Sequence, residues 1–120
     1  MDTGYGDLLA DVMKQPGVRG ALVVAVRDGL VVDGRVHVGV RGDAAAALAA
    51  ALFRRARQAT SNGEGRIRFV EVDAEQGRIM MAGPEAVALL AVLETRANPG
   101  QVRLAVRRAA DELAAMEGAK

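Results

Sequence analysis

Cysteine is absent from the 120 residues, which removes disulfide frameworks, thiolate nucleophiles and Cys-based zinc sites and fits a reducing compartment. His37 is the single histidine, so His-paired metal sites are excluded with it. Aromatic residues make up 2%, namely Tyr5, Phe53 and Phe69, too few for the stacking platforms on which bases are read. Charge of one sign is lacking as well: 16 basic against 15 acidic residues leave a formal net charge of +1, with no block able to act as a nucleic-acid tail or membrane arm. No apolar run approaches the ~20 residues of a membrane span, and the start MDTGYGDLLADVMKQ lacks the basic-then-apolar layout of a secretion signal. The expectation is a cytoplasmic protein that neither binds nucleic acid nor inserts into a membrane.

What is present is fold-forming material, 51% hydrophobic and 26% charged, enough for one core and a single domain over residues 1–120. From Asp7 to Gln15, Leu8, Leu9, Val12 and Met13 recur at helical spacing until Pro16-Gly17 ends the run. Val18 to Arg27 is Val-rich and apolar on both alternating sets, as expected of a strand covered on both faces. Asp28-Gly29 then reads as a hairpin turn into a half-exposed or edge strand, Leu30 to Val40. There Leu30, Val32, Val36 and Val38 alternate with Val31, Asp33, Arg35 and His37.

Asp43 to Thr60 predicts a long helix with Asp43 as N-cap, arginines in its last turns, and Ala45, Leu48, Ala49, Leu52, Phe53 and Ala56 as its core stripe. Ala46, Ala47, Ala50 and Ala51 form a second, small-residue face. It reads either as helix propensity in an alanine-rich chain or as a surface for close backbone approach. Ser61 to Gly65 is a loop by composition. Arg66 to Val72 and Arg78 to Ala82 form a second hairpin, with Ile67 and Phe69 on one face and Arg66 and Arg68 on the other. Ala86 to Glu94 fits a buried helix or a central strand on periodicity; its length and position after a hairpin favour the strand. Asn98-Pro99-Gly100-Gln101 opens a last helix to about Glu117, burying Val102, Ala105, Val106, Ala109, Leu113 and Met116. The resulting order, α-β-β-α-β-β-β-α, belongs to the α+β class with a mostly antiparallel sheet.

Several of these features together resemble the roadblock, or dynein light chain, family. The carriers are the short helix leading into Pro16-Gly17-Val18-Arg19-Gly20-Ala21, then Arg27-Asp28-Gly29-Leu30-Val31-Val32, the Ala/Leu-rich middle helix, and Ala97-Asn98-Pro99-Gly100 before Val102 and Leu104. The resemblance implies a five-stranded antiparallel sheet in order 2-1-5-4-3, the long helix on one face and the terminal helices on the other. It further implies a homodimer, or a heterodimer with a paralogue, in which the third strands pair and the long helices pack together. Bacterial members of the gliding-motility kind regulate Ras-like small GTPases, by repositioning the GTPase's own residues. Eukaryotic members are dynein or lysosomal scaffold subunits.

The expected function is accordingly a dimeric adaptor that binds a Ras-like small GTPase and promotes GTP hydrolysis without catalytic residues or cofactors of its own. A small-ligand sensory module and a scaffold or motor subunit with no GTPase partner stand as alternatives. Gly4-Tyr5-Gly6 and Gly83-Pro84 match neither phosphate-binding glycine motif, so no nucleotide site is expected in this chain. Ser61 is a loop residue and His37 an ordinary residue on a polar strand face, which leaves poor material for catalysis. The expected dimer interface comprises Ala46, Ala47, Ala50, Ala51, Arg66 and Arg68. Arg54 and Arg57 are the candidate partner contacts, with Arg55 set nearer the core stripe; a solvated helix C-terminus is the competing reading of all three.

Overall fold

The computed structural model describes residues 4–61 and 66–118. The elements are α1 (Gly6–Met13), β1 (Val18–Ala25), β2 (Val31–Val36), α2 (Gly42–Ser61), β3 (Val70–Ala74), β4 (Gly77–Ala82), β5 (Val87–Leu93) and α3 (Pro99–Gly118). All strands pair antiparallel in the order β2-β1-β5-β4-β3. Residues 62 to 65 of the loop expected after the long helix lie outside the described residues.

The two strands that are apolar on both faces, β1 and β5, sit centrally, and β2 and β3 are the edges. On one side of the sheet Ala21, Val23, Met80, Leu89 and Ala91 pack with Leu8, Leu9 and Val12 of α1 and with Val102, Val106 and Leu113 of α3. On the other side Leu22, Val24, Met81 and Leu90 pack with Ala46, Ala49, Ala50 and Phe53 of α2. Both layers are built as alternating strand positions require. At the start of α3, Asn98 acts as the expected cap: its Oδ1 accepts hydrogen bonds from the N–H groups of Gly100 (3.0 Å) and Gln101 (3.3 Å).

Two of the motifs that carry the family resemblance meet in space. Gly17 has φ +88°, and a Cβ there would lie 2.7 Å from Ala97 Cα, so only glycine fits between the α1 exit and the α3 entry. The Glu94 N–H donates to Gly17 O at 2.9 Å and ties the two crossings together.

The strand expected from Arg66 begins instead at Val70. The segment before it is bent: Ile67 packs against the α2 layer whereas Phe69 packs against the α3 layer, so these same-parity residues serve opposite cores. Arg107 of α3 stacks over the Phe69 ring, 4.5 Å from its centroid, and holds that bend.

Candidate interaction surfaces

The long helix is rotated from the expected orientation by roughly 80°, at 3.6 residues per turn. Ala46 (0% exposed) and Ala50 (0%) belong to the core of the single chain and are removed from any surface contact, whereas Leu48 is 56% exposed. The cause is volume. The sheet beneath α2 presents Leu22, Val24, Met81 and Leu90, all large, so the helix approaches closely only through small residues.

A second close approach fixes the same face. Gly29 takes φ +74° in the β1–β2 turn, and a Cβ there would lie 3.1 Å from Ala47 Cα and 3.5 Å from Ala50 Cβ. The alanine patch is thus the seat of the hairpin turn. Ala47 remains exposed and Ala51 half-buried on the outer side.

Two of the three arginines of α2 are held by the chain itself. Arg54 Nη1 donates to the carbonyl oxygens of Val26 (2.6 Å) and Arg27 (3.3 Å), closing the end of β1. Arg57 Nη2 pairs with Glu85 Oε1 at 2.8 Å, reaching across to the β4–β5 connection. Arg55 is the exposed one, on the outer side of α2 near Leu52 and Leu48. The expectation that Arg55 lies nearest the core and that Arg54 and Arg57 face outward is therefore reversed, for the same rotational reason.

Between α2 and the β3–β4 edge runs a groove of about 460 Å³, lined chiefly by apolar atoms of Ala45, Leu48, Val72, Ile79 and Val92. It opens because α2 sits toward the β1–β2 side of the sheet and leaves the β3 side of that face partly uncovered: Val70, Ile79 and Val92 are only half-buried. The groove borders the free edge of β3, whose other side is paired to β4.

On the opposite face, Glu71 of β3 receives both Nε (3.1 Å) and Nη2 (2.9 Å) of Arg103, and Arg78 lies 3.5 Å from its other oxygen. Arg66 and Arg68 are exposed and line a cleft of about 600 Å³ with Arg107, Asp111 and Gly83-Pro84. His37 is an exposed residue just after β2 whose N–H bonds to Arg19 O. Among the described residues no three side chains of His, Asp or Glu gather to hold a metal ion, and no helix is long and apolar enough to cross a membrane.

Residues 5–94 match the model of the Roadblock/LC7 domain. The chain belongs to the Roadblock/LC7 family. It is 30% identical to an uncharacterised protein of Methanocaldococcus jannaschii over 110 residues, covering 91% of this chain and 96% of that one. Among solved structures, the gliding protein MglB of Thermus thermophilus superposes with a TM-score of 0.81 at 24% identity, covering 97% of this chain and 90% of that chain. A second MglB structure, described in a tetrameric arrangement, gives 0.80 at 26% identity, with 93% and 86% covered. The Roadblock/LC7 match spans α1 to β5, and the superposition on the Thermus thermophilus protein extends the shared fold over 97% of the chain.

Proposed function

We propose that this Roadblock/LC7 chain is a non-catalytic dimeric regulator that binds a Ras-like small GTPase in the cytoplasm and promotes its GTP hydrolysis. The observation that carries the reading is surface left unspent by the monomer: the outer face of α2 with Leu48, the apolar groove beside it, and the free edge of β3 form one continuous region. Contiguous exposed apolar surface next to an unpaired strand edge is what an interface requires. The family resemblance supplies the geometry: third strands pair across a two-fold axis and long helices pack beside them.

Charge order along β3 supports this arrangement. Arg66 and Arg68 lie at its entry and Asp73 and Glu75 at its exit. Antiparallel pairing of two copies sets the basic end of one against the acidic end of the other. Ala47, Ala51, Leu48 and Leu52 then meet between the helices, and Ala46 and Ala50 play no part. The GTPase docks on the paired helices with Arg55, doubled by the two-fold axis, as its polar contact.

The test separates the two parts. Sedimentation of the wild-type chain at micromolar concentration is expected to give a mass of two chains or a multiple of two; monomer alone would overturn the dimer. Mixing the dimer with a Ras-like small GTPase from the same organism, loaded with GDP or a GTP analogue, is expected to give a complex and faster phosphate release. Arg55→Ala is expected to weaken that complex about tenfold, a loss of about 1.4 kcal/mol. A wild-type dimer that binds the GTPase in neither state overturns the regulatory reading.

A further inference from the structure

The second edge of the sheet, β2, carries a pattern that the reading above does not use. Val32 (43% exposed) and Val36 (45%) leave it apolar, flanked by Leu30 (64%) before the strand and Val38 (97%) in the turn after it, although apolar edges invite strand pairing. Its order is self-complementary about Gly34. Asp33 and Arg35 flank the glycine with opposite charges, Val32 and Val36 lie one position further out, and Leu30 and Val38 lie beyond them.

We propose that β2 is a docking edge for the β2 strand of a second copy, antiparallel and centred on Gly34. In that register Gly34 faces Gly34, each Asp33 faces the Arg35 of the other copy, and each Val32 faces Val36. The backbone is phased for it. The His37 N–H donates to Arg19 O at 2.8 Å, and alternation along an antiparallel ladder then turns the polar groups of Gly34 and Val36 away from β1. Val32 is the extra residue at the bulge between the Val31 and Asp33 pairings and has no register partner on β1.

A side-chain clip occupies the centre of this edge in the single chain. Asp33 Oδ1 accepts from the Gly34 N–H at 2.8 Å, Arg35 Nη1 donates to Gly34 O at 2.9 Å, and the two side chains pair at 3.0 Å. The clip gates the edge. Each bond it makes has an equivalent across the pair: the Gly34 groups bond to each other, and each carboxylate takes the guanidinium of the opposite copy. Exposed ion pairs of this kind exchange at little cost, and the added backbone bonds and valine contacts favour the paired form. The side-chain complementarity selects a second copy over an unrelated strand.

The absence of native cysteine makes the test direct. A Val32→Cys/Val36→Cys chain under mild oxidation is expected to migrate mostly at two-chain mass on a denaturing gel. Each single variant should stay at one-chain mass, because like positions lie about four residues apart along the pair, on the order of 13 Å. In the double-cysteine background, Arg35→Glu alone or Asp33→Arg alone is expected to lose the crosslink. An equimolar mixture of the two should regain it, because the acidic strand then faces the basic one while the clip stays broken in both. Circular dichroism confirms that each variant is folded. Absence of the crosslink in the folded double-cysteine chain, equal crosslinking by either single variant, or no recovery in the mixture overturns the proposal. Pairing through β3 affects none of these readings, because the covalent product is set by β2 alone.

Discussion

Gly29 shows how one residue settles the face of a whole helix. Its φ of +74° is a conformation that side-chain-bearing residues adopt at a cost, and a methyl group 3.1 Å from Ala47 Cα would push the helix backbone away. Gly29→Ala is expected to lower the unfolding free energy by about 2 kcal/mol in urea titration, summing backbone strain and a tight contact. Ala50 is the partner of that turn. Ala50→Glu forces a long carboxylate into a fully buried position against the Gly29 turn, and the expected result is a chain that is largely unfolded by circular dichroism at 25 °C. Leu48 and Ala50 are two positions apart yet opposite in consequence, since Leu48 is more than half exposed.

At the scale of elements, Glu71 is the joint between the edge of the sheet and α3. Two arginines converge on one half-buried carboxylate, Arg103 from the helix and Arg78 from β4, and Arg78 also reaches Asp73 at 3.0 Å. Glu71→Gln removes the charge and keeps the shape. It is expected to cost about 1 kcal/mol at low salt, measured by urea titration, and less at 1 M salt as screening weakens the original pairs. This joint was not legible in the sequence, because Arg103 reads as an outward residue of α3 and only tertiary packing brings it to Glu71. Element existence and order were legible, since hairpin glycines, the Asn98 cap and two doubly apolar strands are local signals. The rotation of α2 was not. A wheel ranks positions by hydrophobicity, so Leu48 and Leu52 outweighed alanine, whereas the large side chains of the facing sheet favoured small ones. The orientation expected of the arginines changed with that rotation, which turns Arg54 and Arg57 toward partners in the same chain and Arg55 outward. The start of β3 moved for a related reason, the bend at Phe69, which rests on a contact with Arg107 some distance along the chain.

At the scale of the molecule, the sheet has two edges of different character. The β3 edge adjoins an apolar groove and carries segregated charge, whereas the β2 edge is apolar with a clipped centre. A monomer stabilised only by its own two cores would unfold at a temperature independent of concentration. If association through α2 and β3 contributes, the folded state is drawn toward the dimer by mass action, and the midpoint rises with protein concentration. Leu48→Asp separates the contributions, since a substitution at a position 56% exposed costs the monomer within about 0.5 kcal/mol. The same aspartate, repeated across the two-fold axis, sets two carboxylates close together in a contact that excludes water. With the β2 edge blocked by Arg35→Glu in both chains, the midpoint of the chain that keeps Leu48 is expected to climb by several degrees between 1 and 100 µM, and that of the chain with Leu48→Asp added to stay flat at the low-concentration value while sedimentation reports a one-chain mass. An equal climb in both chains would place the association elsewhere than on the outer face of α2.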